Sequence, residues 1–168
     1  LPGGLDAIQK VVLHTAREFG QTEGYLRLIV TRGVGELGVD PTTCSNPTLI
    51  CLADRIRLFA AEKLKKGLDM VTSSYRRPAA DALDPRVKSL NYLNNVLAKR
   101  EAKLRGADEA LILNQAGLVA EASVANVFIV RNGELLTPPV TDGSLSGITR
   151  DSIIEIAKSL QIETRECH

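Results

Sequence analysis

Several side chains able to do chemistry fall inside or beside otherwise apolar stretches of this chain. Lys88 opens Lys88-Ser89-Leu90-Asn91-Tyr92-Leu93-Asn94-Asn95, and Tyr92 is four residues on, so the two lie close together if a helix begins there. Glu121 interrupts the apolar run Val119–Ser123, and Asn126 follows in Val124-Ala125-Asn126-Val127-Phe128. Gly147-Ile148-Thr149-Arg150-Asp151 opens a helical pattern, and a glycine followed by unpaired amide N–H groups makes a seat for phosphate. An amine, a phenol, a carboxylate and an anion seat are together the parts needed to form a Schiff base with a phosphorylated pyridine aldehyde.

Each of these residues also has an ordinary structural reading. A lysine before a helix is commonly solvated, and a glutamate in a strand commonly faces out or lies on an edge. Thr149 would serve equally as a capping hydroxyl at a helix start. Only the set, in this order, points to chemistry. A further pattern, Gly33-Val34-Gly35-Glu36-Leu37-Gly38, fits GxGxxG and follows a strand-like run. A dinucleotide site needs a helix to start within that motif, whereas here Val39-Asp40-Pro41-Thr42-Thr43 and Cys44-Ser45-Asn46-Pro47 follow, which is turn chemistry. The glycines therefore read as a tight connection.

The elements that must position these groups fit a chain of 168 residues, long enough for about one domain with its own core. With 21 Lys and Arg against 20 Asp and Glu the net charge is +1, too small a field to recruit nucleic acid or an anionic membrane. The longest apolar run, Leu49–Ala53, is far short of the roughly 20 residues of a spanning helix. Cys44, Cys51 and Cys167 form neither a CxxC pair nor a metal-ligand cluster with His14 and His168. Free thiols suit a reducing compartment, the cytoplasm or an organelle matrix.

Hydrophobic periodicity predicts a helix over Leu5–Phe19 stopped by Gly20, and an alternating strand over Tyr25–Arg32 whose polar face carries Tyr25 and Arg27. A second strand is expected at Leu49–Ala53, a short helix at Leu58–Lys66, a strand at Leu68–Ser74 and an irregular stretch over Tyr75–Pro85. Leu90–Leu104 reads as a helix with Leu90, Leu93, Leu97 and Leu104 on one face. Strands are expected at Ala110–Leu113, Val119–Ser123, Val127–Val130 and Leu135–Thr137, with Asn132-Gly133 as a hairpin turn, before a last helix over Ile148–Leu160. Together these give an α+β fold: a small domain over residues 1–62, a connection at 63–66 and a larger domain over 67–168, the latter mainly antiparallel.

The three motifs, with the segment Gly24-Tyr25-Leu26-Arg27 to Arg32-Gly33-Val34-Gly35-Glu36-Leu37-Gly38, resemble the class IV (fold-type IV) pyridoxal-phosphate aminotransferases. That family includes branched-chain amino-acid aminotransferases, D-amino-acid aminotransferases and aminodeoxychorismate lyase. The resemblance runs along nearly the whole chain, in order. It implies a fold-type IV enzyme with both domains incomplete, so that this sequence reads as an internal piece of a longer chain.

The resemblance implies pyridoxal 5'-phosphate as cofactor, with Lys88 as the Schiff-base lysine that also moves the substrate's α-proton. It implies that Glu121 pairs with the pyridine nitrogen, that Tyr92 binds the ring oxygen, and that Leu145 packs on the ring face. Ile148 and Thr149 would hold the phosphate. Tyr25, Arg27 and Val39 would face the substrate, the Gly35–Val39 loop closing over the neighbouring subunit of a homodimer. Tyr92 stands where several D-amino-acid enzymes carry a leucine, which points to an L-branched-chain amino acid as donor and 2-oxoglutarate as acceptor. A D-amino-acid aminotransferase, an aminodeoxychorismate lyase, and an inactive fragment with an incomplete site stay open as alternatives.

Overall fold

A computed structural model describes residues 3–55 and 61–168. They group into two compact units, 1–60 and 61–168. The packing boundary thus falls just before the 62 read from the sequence, and the expected connection at 63–66 lies within the second unit.

In the first unit helix α1, Gly4–Phe19, carries Asp6 in its first turn and Arg17 in its last, both signs favourable to the helix dipole. Gly20 ends it: at φ 64° its N–H donates to the carbonyls of Ala16 and Arg17. Strands β1, Tyr25–Val30, and β2, Leu49–Asp54, pair antiparallel from Tyr25 opposite Asp54 to Val30 opposite Leu49. The half-buried residues of β2 alternate, Leu49, Cys51 and Ala53, and α1 packs along this strand. The connection between the strands contains no α-helix, only a 3-10 turn at Pro41–Thr43 started by the Asp40 carboxylate, which accepts from the Thr42 N–H. The turn chemistry expected after the GxGxxG motif is thus present. Gly33, at φ 93°, lies so close to the opposite limb that a Cβ would sit 1.8 Å from the Asn46 carbonyl oxygen.

The second unit opens with helix α2, Ala61–Lys66; the rest of the helix expected from Leu58 lies outside the described residues. Strands β3, Met70–Thr72, β4, Glu109–Leu113, and β5, Val119–Ala122, form one sheet, with β3–β4 parallel and β4–β5 antiparallel. Strands β6, Ile129–Arg131, β7, Glu134–Thr137, and β8, Thr164–Glu166, form another, with β6–β7 antiparallel and β7–β8 parallel. The unit is therefore evenly mixed among its described pairings rather than mainly antiparallel. The Asn132-Gly133 hairpin is present, both residues at positive φ, 53° and 83°.

Helix α3, Leu93–Leu104, begins three residues later than the periodicity suggests. Ser89 and Asn91 side-chain oxygens accept the N–H groups of Asn91 and Leu93, and such local bonds draw the backbone out of a helix into turns. The face that enters the core is also different: Ala98 and Ala102 are fully buried, while Leu90, Leu93 and Leu104 are exposed. Alanines let the helix backbone approach β4, where Ala98, Ala102, Ala107, Ala110 and Ile112 close the core with Val71 beside them. Helix α4, Ile148–Ser159, follows a second 3-10 turn at Val140–Asp142. Ile112 is the one large apolar side chain among the fully buried residues of this core. Ile112→Ala should therefore lower the stability of the second unit by about 2–5 kcal/mol, read from the midpoint of denaturant unfolding.

Candidate active site

Glu121 lies on β5 opposite Ile112 of β4, so the two side chains share a face of the sheet. Ala120 and Ala122 are buried as well, so both faces of β5 are covered and the glutamate points inward at 8% exposure. The ordinary alternative of an outward-facing, solvated carboxylate is therefore not what the structure shows, although β5 is the edge strand of its described sheet. Its Oε1 accepts from Arg77 Nη2 at 2.6 Å and its Oε2 from the Leu145 N–H at 2.9 Å. Burial raises the Glu121 carboxyl above its ordinary pKa, although the Leu145 N–H and the charges of Arg77 and Lys88 pull it down.

Arg77, 5% exposed, is the residue sequence reasoning missed. It falls in the stretch Tyr75–Pro85, which reads only as irregular, and its partner stands 44 residues away. The stretch holds it firmly: its N–H donates to the Leu113 carbonyl, and its own carbonyl accepts from Gln115 Nε2 at 3.0 Å. Its Nη1 donates at 3.1 Å to both Asn94 Oδ1 and Asn95 Oδ1 in the first turn of α3. Burial lowers its pKa, opposed by the Glu121 charge. Burial is the larger influence on both members of the pair, and in each it works against the charge.

Lys88 and Tyr92 are not stacked on a helix, since Tyr92 is only the N-cap of α3 and Lys88 lies in the preceding turns. They still come together. One cleft is lined by Lys88, Tyr92, Glu121 and Leu145, together with Arg77 and Asn95. Asn95 Nδ2 donates to the Ser123 carbonyl at 2.7 Å, tying α3 to the end of β5. Asn126 Nδ2 donates to the Leu145 carbonyl at 3.4 Å, so that asparagine steadies the turn whose N–H engages Glu121.

Ile148 and Thr149 stand outside the cleft lining, exposed in the first turn of α4. Gly147 is the N-cap and offers no side-chain cap, so the first amides of α4 are open to an anion. Arg150, 4% exposed and also missed from the sequence, anchors this turn: its Nη2 donates to the Pro138 carbonyl at 3.0 Å and pairs with Glu166 of β8. In the first unit Tyr25 and Arg27 share a face of β1, with Arg27 Nε 3.4 Å from the Tyr25 hydroxyl and its guanidinium 5.6 Å from the ring centroid. Val39 is fully exposed in the connection between β1 and β2, as are Val34 and Leu37 beside it.

The donor set fits a phosphorylated pyridine aldehyde. It offers a primary amine for the aldehyde, a phenol, a buried carboxylate for a ring N–H, and an open helix start for a phosphate. The cleft itself holds only about 90 Å³, less than the about 300 Å³ at the lower end for small-molecule pockets. These residues therefore make the reactive wall of a site rather than its whole enclosure.

The chain belongs to the family described as amino-transferase class IV, which it matches over residues 1–168. A relative from Methanocaldococcus jannaschii is 49% identical over 156 residues, covering 93% of this chain and 53% of that protein. The Escherichia coli branched-chain amino acid aminotransferase superposes with a TM-score of 0.92 at 33% identity, covering 99% of this chain and 55% of that one. The T.th. branched-chain amino acid aminotransferase, solved with pyridoxamine 5'-phosphate, gives a TM-score of 0.90 at 35% identity, over 99% of this chain and 54% of that one. The chain thus spans about half the length of the relatives it matches. The expected fold-type IV, α+β architecture is borne out. Among the described residues no helix is long and apolar enough to cross a membrane.

Gly143 follows the 3-10 turn at φ 101°, and a Cβ there would lie 2.8 Å from Arg77 Cγ. Arg77 has no room to yield, because its guanidinium is held on three side chains. Gly143→Ala should cost about 1–3 kcal/mol, the scale of a strained backbone position, as a shift in the denaturation midpoint.

Proposed function

We propose that the protein carrying this chain is a pyridoxal 5'-phosphate-dependent aminotransferase that passes the amino group of an L-branched-chain amino acid to 2-oxoglutarate. One observation carries the reading: Lys88, Tyr92, Glu121 and Leu145, drawn from three separate motifs, line one cleft. The names of the Escherichia coli and T.th. relatives support the substrate class, and the pyridoxamine 5'-phosphate of the second supports the cofactor.

When bound, the cofactor supplies a protonated pyridine ring that accepts electrons from the substrate's α-carbon. Glu121, held charged by Arg77 and by the Leu145 N–H, accepts the hydrogen bond of the ring N–H and keeps that proton on the nitrogen. Lys88 would provide the amine that secures the cofactor and would carry the α-proton from one carbon to the next. Tyr92 donates to the ring oxygen. Leu145 packs on the ring face, and the amides of Ile148 and Thr149, with the Thr149 hydroxyl, hold the phosphate.

Tyr25 and Arg27 on the polar face of β1 recognise the substrate. The exposed apolar Leu37 and Val39 mark the Gly35–Val39 loop as the part that closes over the neighbouring subunit's pocket in a homodimer. A compartment that keeps Cys44, Cys51 and Cys167 as thiols, the cytoplasm or an organelle matrix, suits the enzyme.

Lys88→Ala in the full-length protein should lower transamination by at least about 10²–10⁴-fold, the contribution of a positioned acid–base group, and abolish borohydride-stable attachment of the cofactor. Attachment that persists at another lysine would remove Lys88 from this role. L-leucine, L-isoleucine and L-valine should react in preference to D-alanine and D-glutamate; the opposite preference would overturn the substrate class, and pyruvate release without an amino acceptor would overturn the transaminase reading.

A further inference from the structure

A single guanidinium, that of Arg77, touches the elements that carry three of the site's groups. Its Nη2 donates to Glu121 Oε1 on β5. Its Nη1 bridges Asn94 and Asn95, two and three residues after Tyr92 and six and seven after Lys88. Gly143, which a side chain would drive into Arg77 Cγ, begins the turn that delivers Leu145 to the other oxygen of Glu121. Among the described residues the charged groups acting on Glu121 are Arg77 and Lys88, and Lys88 is exposed whereas Arg77 is buried. An exposed lysine is screened by solvent and is committed to the chemistry of the cleft. Arg77 is thus the permanent counter-charge.

We propose that Arg77 is a positioning residue: it keeps the Glu121 carboxylate charged and aimed, and it locks that carboxylate in register with the segment bearing Lys88 and Tyr92. The proposal rests on the reading of Glu121 as the partner of the pyridine nitrogen. The need is chemical. A neutral carboxyl at Glu121 would no longer favour a proton on the ring nitrogen, and a ring without that proton is a weaker electron acceptor. Only arginine meets the geometry, because its planar fork reaches a carboxylate and two amide oxygens at once while a lysine ammonium is a point charge. No cofactor atom is touched by Arg77 in this scheme; its effect passes through Glu121.

The test compares the full-length protein with Arg77→Gln, Arg77→Lys and Glu121→Gln. The Glu121 carboxyl is first titrated by carbon-13 NMR without cofactor, its signal assigned by its loss in Glu121→Gln. The ring nitrogen is then observed by nitrogen-15 NMR after loading labelled pyridoxal phosphate. In Arg77→Gln the Glu121 midpoint should move to higher pH, the ring-nitrogen signal should move toward that of neutral pyridine, and kcat should fall about 10–100-fold, as loss of an outer partner typically does. Arg77→Lys retains a cation and supports folding if the glutamine variant does not fold. It should restore the ring-nitrogen proton yet leave kcat about tenfold low, because the fork to Asn94 and Asn95 is lost.

Full kcat in Arg77→Lys would overturn the locking role. An unmoved Glu121 midpoint and ring-nitrogen signal in Arg77→Gln, with both features changed in Glu121→Gln, would overturn the Arg77 proposal alone. A ring nitrogen that stays protonated in Glu121→Gln would instead overturn the reading of Glu121 on which the proposal stands.

Discussion

A carboxylate and a guanidinium, Glu121 and Arg77, lie side by side in the interior of the second unit, where each has given up water, and the surrounding fold is arranged around that pair. Removing either partner would leave an uncompensated charge in the interior, a loss of about 3–5 kcal/mol. The fold adds hydrogen bonds from the backbone and from amides, the Leu145 N–H on one side and Asn94 and Asn95 on the other, and leaves Arg77 Nε buried without an acceptor. Such a pair is a poor investment in stability alone. It is a good way to hold one carboxylate at a fixed place and charge inside a wall that a ligand will cover.

The alanine-rich core follows from the same demand. With Ala98 and Ala102 facing β4, helix α3 sits close to the sheet, and its first turn reaches the end of β5 through the bond from Asn95 to the Ser123 carbonyl. Larger residues on that face would hold the helix away from the strand that carries Glu121. Arg150 fastens the start of α4, where the amides are open, to Pro138 and Glu166. The sheet therefore presents the carboxylate, and the segments between elements present the amine, the phenol and the anion seat.

Much of this was legible in the residues. Strong alternation and helical periodicity located most of the described elements, and the Asn132-Gly133 pair located its hairpin through the backbone angles it prefers. The site groups were legible because their types are costly or unusual where they stand: Glu121 inside an apolar run, and a glycine opening a helix. Arg77 and Arg150 were not, since an arginine declares itself buried only through partners distant in the chain, 44 residues for Glu121 and 16 for Glu166. The helix start near Tyr92 was misplaced because Ser89 and Asn91 capture backbone N–H groups in turns, a competition that apolar spacing does not register. Strand β8, Thr-Arg-Glu, has no apolar signal at all and exists through its backbone pairing with β7.

The most direct test of this account is a crystal structure of the full-length protein grown with pyridoxal phosphate. The pyridine nitrogen should lie within hydrogen-bond distance of the Glu121 carboxylate, with Arg77 still bridging Glu121, Asn94 and Asn95, and with the phosphate on the first amides of α4. A cofactor whose ring nitrogen faces away from Glu121, or an Arg77 turned from Glu121 to the phosphate, would contradict it.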